Sequence, residues 1–245
     1  MLRDGAEENV QLCVYVDEKC VVDLYGTAIG DKNYNAETVQ TIYSSGKSIE
    51  SIAMAMLYGK GLFKYEDSVA KHWPEFGQNG KENVKICDVF RHQSGLSWFT
   101  ETIPSVQDAW TESIKKNKIG ALIENQKQHF PKNGKTEYHA QTRGLIINEL
   151  VRRLDAKGRT ISEILQEDVK IKGIYLGAST EAGSNPASQK MISKSFILIQ
   201  SMTPEWLGKK IEVKFYDTMR KALGFSKTLS QLSKQPPFFG ELQVW

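Results

Sequence analysis

Residues 43–76 read YSSGKSIESIAMAMLYGKGLFKYEDSVAKHWPEF, and the reading of this stretch decides the fold. Ile49, Ile52, Ala53, Met56 and Leu57 recur at i, i+3, i+4, i+7 and i+8, the spacing of one face of an α-helix. The pattern predicts an amphipathic helix from Ser44 that closes at Gly59 or Gly61. Met54 and Ala55 are apolar or small as well, so the helix is expected to be buried on most sides. At its start stands Ser44-Ser45-Gly46-Lys47, an S-x-x-K tetrapeptide. Residues three apart share a helical face, so the Ser44 hydroxyl and the Lys47 amine are expected to point into one space. Burial and the positive end of a helix both disfavour an ammonium, and a neutral lysine is a base. The unpaired N–H groups of a first turn offer a donor to a developing oxyanion. One short segment thus predicts a nucleophile, a base and half of an oxyanion hole.

The tetrapeptide alone is not specific. The same spacing recurs at Ser68/Lys71 and Ser113/Lys116, and an isolated copy reads most simply as a capping serine before a solvated lysine. A phosphate-binding reading fails too. Gly46-Lys47-Ser48 ends like a P-loop, but the required glycine five residues earlier is Thr41; Gly134-Lys135-Thr136 has His129 at that place.

Outward from this segment, residues 10–26 (VQLCVYVDEKCVVDLYG) hold two β-rich runs around Asp17-Glu18-Lys19, which predicts a hairpin. Residues 65–80 read as connecting chain broken by Pro74 and Gly77. Short helices are expected over 84–91, ending in the turn Ser94-Gly95-Leu96, and over 106–118; 131–135 (PKNGK) reads as a loop. Ile147, Leu150, Val151 and Leu154 mark a helix that stops before Gly158, and Thr160-Ile161-Ser162-Glu163 reads as a capping box opening another.

Composition narrows the function classes. The 245 residues are 40% hydrophobic and 25% charged, with 32 Lys+Arg against 29 Asp+Glu. A net charge of +3 is no footprint for nucleic acid, and no apolar run reaches the ~18 residues of a membrane span. Cys13, Cys20 and Cys87 form no CxxC pair, which suits free, partly buried thiols in a reducing compartment. Arg3, Asp4, Glu7 and Glu8 occupy the place of a signal-peptide apolar core, so the expected location is cytoplasmic.

Taken together, 43–76, VKICDVFRHQSGL (84–96) and EYHAQTRGLIINELVRRLDAKGRTISEIL (137–165) resemble the serine β-lactamase-related superfamily. That group includes class C β-lactamases, penicillin-binding proteins and β-lactamase-like esterases, and S-x-x-K is one of its catalytic signatures. The resemblance implies an α+β, β-lactamase/transpeptidase-like fold, a helical cluster against an antiparallel sheet. It implies Ser44 as the acylated nucleophile, Lys47 as its activating partner and Tyr138 as the proton relay to the leaving group. A phenol can relay a proton when a nearby ammonium stabilises its anion. The implied reaction is acyl transfer through a covalent acyl-enzyme on an ester, amide or lactam carbonyl, with a small-molecule substrate and no metal or organic cofactor; oligomeric state is left open.

Two departures shape the expectation. Many lactamase and peptidase relatives read Tyr-x-Asn where this chain has Tyr138-His139-Ala140, which favours esterase-like substrates. A late Lys-Thr-Gly or His-x-Gly motif is missing, since Lys227-Thr228 is followed by Leu229. Relatives are longer, and their C-terminal strands complete the sheet. The chain is therefore expected to be one partial domain, 1–245, recognisable over 1–178 with a weakly assigned tail at 179–245, its sheet incomplete on the C-terminal side. The competing expectation is a catalytically inactive truncated homologue with a binding or scaffolding role. Other residues take plainer readings: His92 as a structural hydrogen-bonding residue, and His139 as a solvated loop histidine that could brush the cleft. His72 and His129 lack metal partners. Trp73, Trp98 and Trp110 read as core anchors, and Lys209, Lys210, Lys214, Arg220 and Lys221 as a solvated face.

Overall fold

The structure is a computed structural model that describes residues 9–39, 42–100, 107–131 and 135–170. Expectations about the 179–245 tail, the basic residues 209–221 and Lys227-Thr228 lie outside the described residues. The described part falls into two compact units, 9–39 and 42–170.

The first unit carries the hairpin. Strands β1 (Asn9–Val16) and β2 (Lys19–Thr27) pair antiparallel, from Asn9 opposite Thr27 to Val16 opposite Lys19. Asp17 and Glu18 turn the chain with φ of 47° and 64°, the two-residue left-handed turn whose twist matches that of the strands. The register slips between Val14 and Tyr15, where Val14 faces Val22 and Tyr15 faces Cys20. Leu12, Val14, Val16, Leu24, Tyr15 and Tyr25 are all exposed, and the described sheet has two strands.

The second unit is helical. Helix α1 (Lys47–Gly59) is followed by α2 (Val69–His72), α3 (Ile86–Phe90), α4 (Thr111–Lys115), α5 (Lys118–Asn125), α6 (Thr142–Leu154) and α7 (Ile161–Ile164). The core gathers Ala53, Met54, Leu57, Trp73, Phe76, Ile86, Ile119, Ile147, Leu150 and Ile161 around α6, whose residues 142–151 are all buried. Thr160 opens α7 with the expected capping box: its side chain accepts from the Glu163 N–H, and the Glu163 carboxylate accepts from the Thr160 N–H at 2.8 Å.

Several expectations are corrected. The buried face of α1 is Lys47, Ile49, Glu50, Ala53, Met54 and Leu57, while Ile52 is exposed and Ser48, Ala55 and Tyr58 face outward. The helix is therefore buried on one side, and its buried stripe includes two charged residues. The helix expected over 106–118 is interrupted: a 3-10 turn (Gln107–Ala109) and α4 come first, and Asn117 at φ 61° then starts α5 in a new direction. The connecting chain 65–80 contributes Trp73 and Phe76 to the core, both fully buried, but Trp98 and Trp110 are about half exposed. Cys13 and Cys20 are exposed rather than partly buried.

Where α5 meets α6, polar groups are packed as tightly as the apolar ones. Glu149 is fully buried and takes charge-assisted contacts from Arg152 (2.7 Å) and Arg153. The Arg153 guanidinium lies 3.9 Å over the Trp73 ring, and the Trp73 indole donates to Glu124 at 2.8 Å. Asn117 closes the cluster by accepting from Arg152 and Arg153 at 3.1 and 2.8 Å.

Candidate active site

Ser44 lies one turn ahead of α1. A 3-10 turn (Tyr43–Gly46) precedes the helix, and the Ser45 N–H donates to the Ile42 carbonyl at 3.0 Å while the Lys47 N–H turns back to Ser44 and Ser45 carbonyls. These two N–H groups are thus paired with backbone carbonyls. A 3-10 turn has three residues per turn, so side chains at i and i+3 eclipse. The eclipse sets Lys47 Nζ 3.3 Å from the exposed Ser44 Oγ. Lys47 itself is buried, and its amine also donates to the Ala140 carbonyl at 2.7 Å.

Tyr138 comes to the same place from the loop before α6. The Lys47 Nζ lies 5.2 Å from the centroid of its ring, which is about half exposed. His92 holds that loop on both sides of Tyr138. Its carbonyl accepts from the Glu137 N–H at 3.0 Å, and its ring Nδ1 accepts from the His139 N–H at 3.0 Å. An accepting Nδ1 leaves the proton of the neutral ring on Nε2. His92 sits at φ 60°, and its ring is 4.7 Å from the Tyr138 ring. Burial first, then the neighbouring His139, Arg143 and Lys47, push its pKa down to about 4. The histidine expected to be structural is therefore the clamp that presents the phenol.

His139 is corrected outright, being fully buried. Its Nδ1 lies against the Glu137 carbonyl and so must donate; its Nε2 accepts from the Leu96 N–H at 3.2 Å and the Ser94 hydroxyl at 2.7 Å. Both nitrogens are used by the neutral ring, and burial pushes the pKa down. His72 meets Asp67 at 2.9 Å and His129 stacks on Trp98 at 3.9 Å.

Sequence reasoning missed the charged pair behind the lysine. Arg143 and Glu50 are buried with Arg143 Nη1 3.0 Å from Glu50 Oε2, and Arg143 also donates to the Ser51 hydroxyl at 3.0 Å and lies 5.0 Å over Phe90. Neither Glu50 oxygen has a hydrogen-bond partner among the described residues. Desolvation outweighs the attraction of Arg143 and Lys47 and raises the Glu50 carboxyl to about 7. A charged residue at position 50, three after Lys47 and inside an apolar stripe, was the available signal. Among the described residues no group of three or more His, Cys, Asp or Glu side chains could hold a metal, and no helix is long and apolar enough to cross a membrane. A small apolar notch lies between Leu96, Trp98, Phe99 and Ile146.

The beta-lactamase family model matches residues 1–174. The chain belongs to the beta-lactamase family. It is 30% identical over 171 residues to the esterase/beta-lactamase LipL of Mycobacterium tuberculosis, covering 68% of this chain and 38% of LipL. Among solved structures, a penicillin-binding protein homologue from Caulobacter crescentus superposes with a TM-score of 0.65 at 25% identity, covering 85% of this chain and 58% of that one. A family VIII carboxylesterase gives 0.66 at 23% identity, with 76% and 51% covered. A class C beta-lactamase in complex with cefoxitin gives 0.60 at 15%, with 76% and 51% covered. These neighbours share the β-lactamase/transpeptidase-like α+β fold expected from the sequence. The chain spans well under two thirds of the length of each of these relatives.

Proposed function

We propose that this beta-lactamase-family chain is a serine hydrolase that works by acyl transfer through a Ser44 acyl-enzyme, with small-molecule esters as its preferred substrates over amides and lactams. The observation that carries the reading is the placement of Lys47 Nζ 3.3 Å from Ser44 Oγ while the same nitrogen faces the Tyr138 ring at 5.2 Å. A hydroxyl within hydrogen-bond reach of an amine, beside a phenol, has the parts that an activated nucleophile needs. The reading treats both described units as parts of one domain.

In this reading Ser44 Oγ attacks the substrate carbonyl and gives its proton to the Lys47–Tyr138 pair. Tyr138 returns the proton to the departing alkoxide. Water then attacks the acyl-enzyme and releases the acid, with the proton passing back through the same pair. Ester preference is supported by Tyr138-His139-Ala140, which puts no side-chain amide beside the phenol.

The test is covalent. The full chain is incubated with a fluorophosphonate probe and a chromogenic short-chain ester, alongside Ser44→Ala. The expected result is labelling and ester turnover that both disappear in the variant. A folded chain that takes no label overturns the reading and leaves a binding or scaffolding protein.

A further inference from the structure

Cys13 on β1 and Cys20 on β2 are both exposed, and their sulfurs lie 3.7 Å apart on one face of the ribbon. Cys13 stands opposite Asp23; unbroken pairing would put Cys20 opposite Val16, on the other face of the ribbon, but the bulge skips Val21 and sets Cys20 opposite Tyr15, on the face of Cys13 and diagonal to it. A bulge bends its strand and increases the local twist, and here it brings two side chains that are not register partners to sulfur–sulfur contact. The Cys20 thiol also points at the Val22 carbonyl at 3.3 Å, which fixes its rotamer towards its own strand.

We propose that Cys13 and Cys20 form a thiol–disulfide couple, a modification site closed by small-molecule disulfides such as oxidised glutathione and reopened by dithiols. One cysteine thiolate attacks a sulfur of the small disulfide, forming a mixed disulfide and expelling one small thiolate. The other cysteine thiolate then attacks the protein sulfur of that mixed disulfide, forming the Cys13–Cys20 bond and expelling the second small thiolate. Two cysteine protons are transferred to two released thiols, and two electrons pass from the protein to the small disulfide. A disulfide bond of ~2.05 Å needs the sulfurs to close from 3.7 Å, a movement that side-chain rotation on an exposed two-stranded ribbon supplies. Cys13 is held protonated above its ordinary range chiefly by its contact with Cys20, so exchange speeds up as pH rises. Cys87 sits on α3 in the helical unit and serves as an internal control.

Lys19 lies between the two cysteines, so trypsin puts them on separate peptides that stay joined only through a disulfide. The full chain is equilibrated with mixtures of oxidised and reduced glutathione, quenched with an alkylating agent and digested without reduction. The expected product is one linked peptide pair that accounts for most of the Cys13 and Cys20 signal and separates on reduction, while Cys87 stays free. Cys20→Ser is expected to trap a stable glutathione adduct on Cys13 and to abolish the link. Independent glutathione adducts on both cysteines of the wild-type chain, a link to Cys87 or a link between chains would each overturn the proposal. The hairpin's β content by circular dichroism confirms that the compared samples are folded.

Discussion

The Lys47 amine donates to the carbonyl of Ala140 at 2.7 Å, a bond that spans 93 positions of sequence. It ties the first turn of α1 to the loop that presents Tyr138, so one side chain both faces the Ser44 hydroxyl and holds the loop that carries the phenol. Lys47→Met keeps the aliphatic stem and removes both contacts. Labelling of Ser44 by a fluorophosphonate is expected to slow by about 10²- to 10⁴-fold, read as second-order labelling rates on a chain with unchanged far-ultraviolet circular dichroism.

The clamp on Tyr138 makes a separable prediction. His92→Ala removes the acceptor for the His139 N–H and puts alanine at a left-handed φ of 60°. Asparagine tolerates that backbone and can accept through its side-chain oxygen. His92→Asn is expected to keep stability within about 1 kcal/mol, while His92→Ala loses about 1–3 kcal/mol, measured by urea denaturation. Both lack the ring against Tyr138, and ester turnover is expected to fall roughly 10- to 100-fold in both.

Glu50 and the two histidines pull stability in opposite directions with pH. Glu50 has its carboxyl raised from 4.5 to about 7 by burial, so the folded state holds a proton that the unfolded chain releases. Its stabilising contribution is complete below about 4.5 and is lost as pH rises through about 7, on the order of 3 kcal/mol. His92, lowered from 6.5 to about 4, works the other way: stability present above about 6.5 is lost as pH falls towards about 4. Over the shared range of about pH 4.5–6.5 the two oppose each other, so Glu50→Gln is expected to unmask a rise in stability from about pH 4 to 6.5 that the wild-type chain largely lacks. Melting temperatures across that range read both.

Gly95 and Gly80 offer a matched pair. Both have positive φ, 73° and 87°, but a methyl at Gly95 would run into the Phe130 backbone carbonyl, whereas at Gly80 the nearest atom is 3.5 Å away. Gly95→Ala is expected to cost about 2–4 kcal/mol, strain and collision together, and Gly80→Ala about 1–2 kcal/mol. Chemical denaturation of the two variants gives the comparison.

What the sequence made legible was local. The hairpin turn, the helix after Ser44, the capping box at Thr160 and the serine–lysine spacing each depend on residues within a few positions. The buried stripe of α1 was read one step off because it holds Lys47 and Glu50, and a hydrophobic pattern assigns charges to water. The break at Asn117 had a signal in its left-handed preference, but it sat among lysines that continued the polar pattern. His139 had none: a histidine in an aperiodic loop carries no periodicity to betray burial, and its partners Ser94 and Leu96 lie more than 40 positions away. Tyr138 was legible only through resemblance.

The eclipsed turn has a thermal consequence. Hydroxyl and amine ride a single loop of backbone closed by its own carbonyl bonds, so gentle warming carries them together and hardly changes their spacing. The phenol arrives on a separate span, held only by bonds from other elements, those of His92 and the one from Lys47 to Ala140. Heating short of melting should therefore strand the alcohol beside its amine with the third partner gone, and hydrolysis should fade several degrees before the helices do.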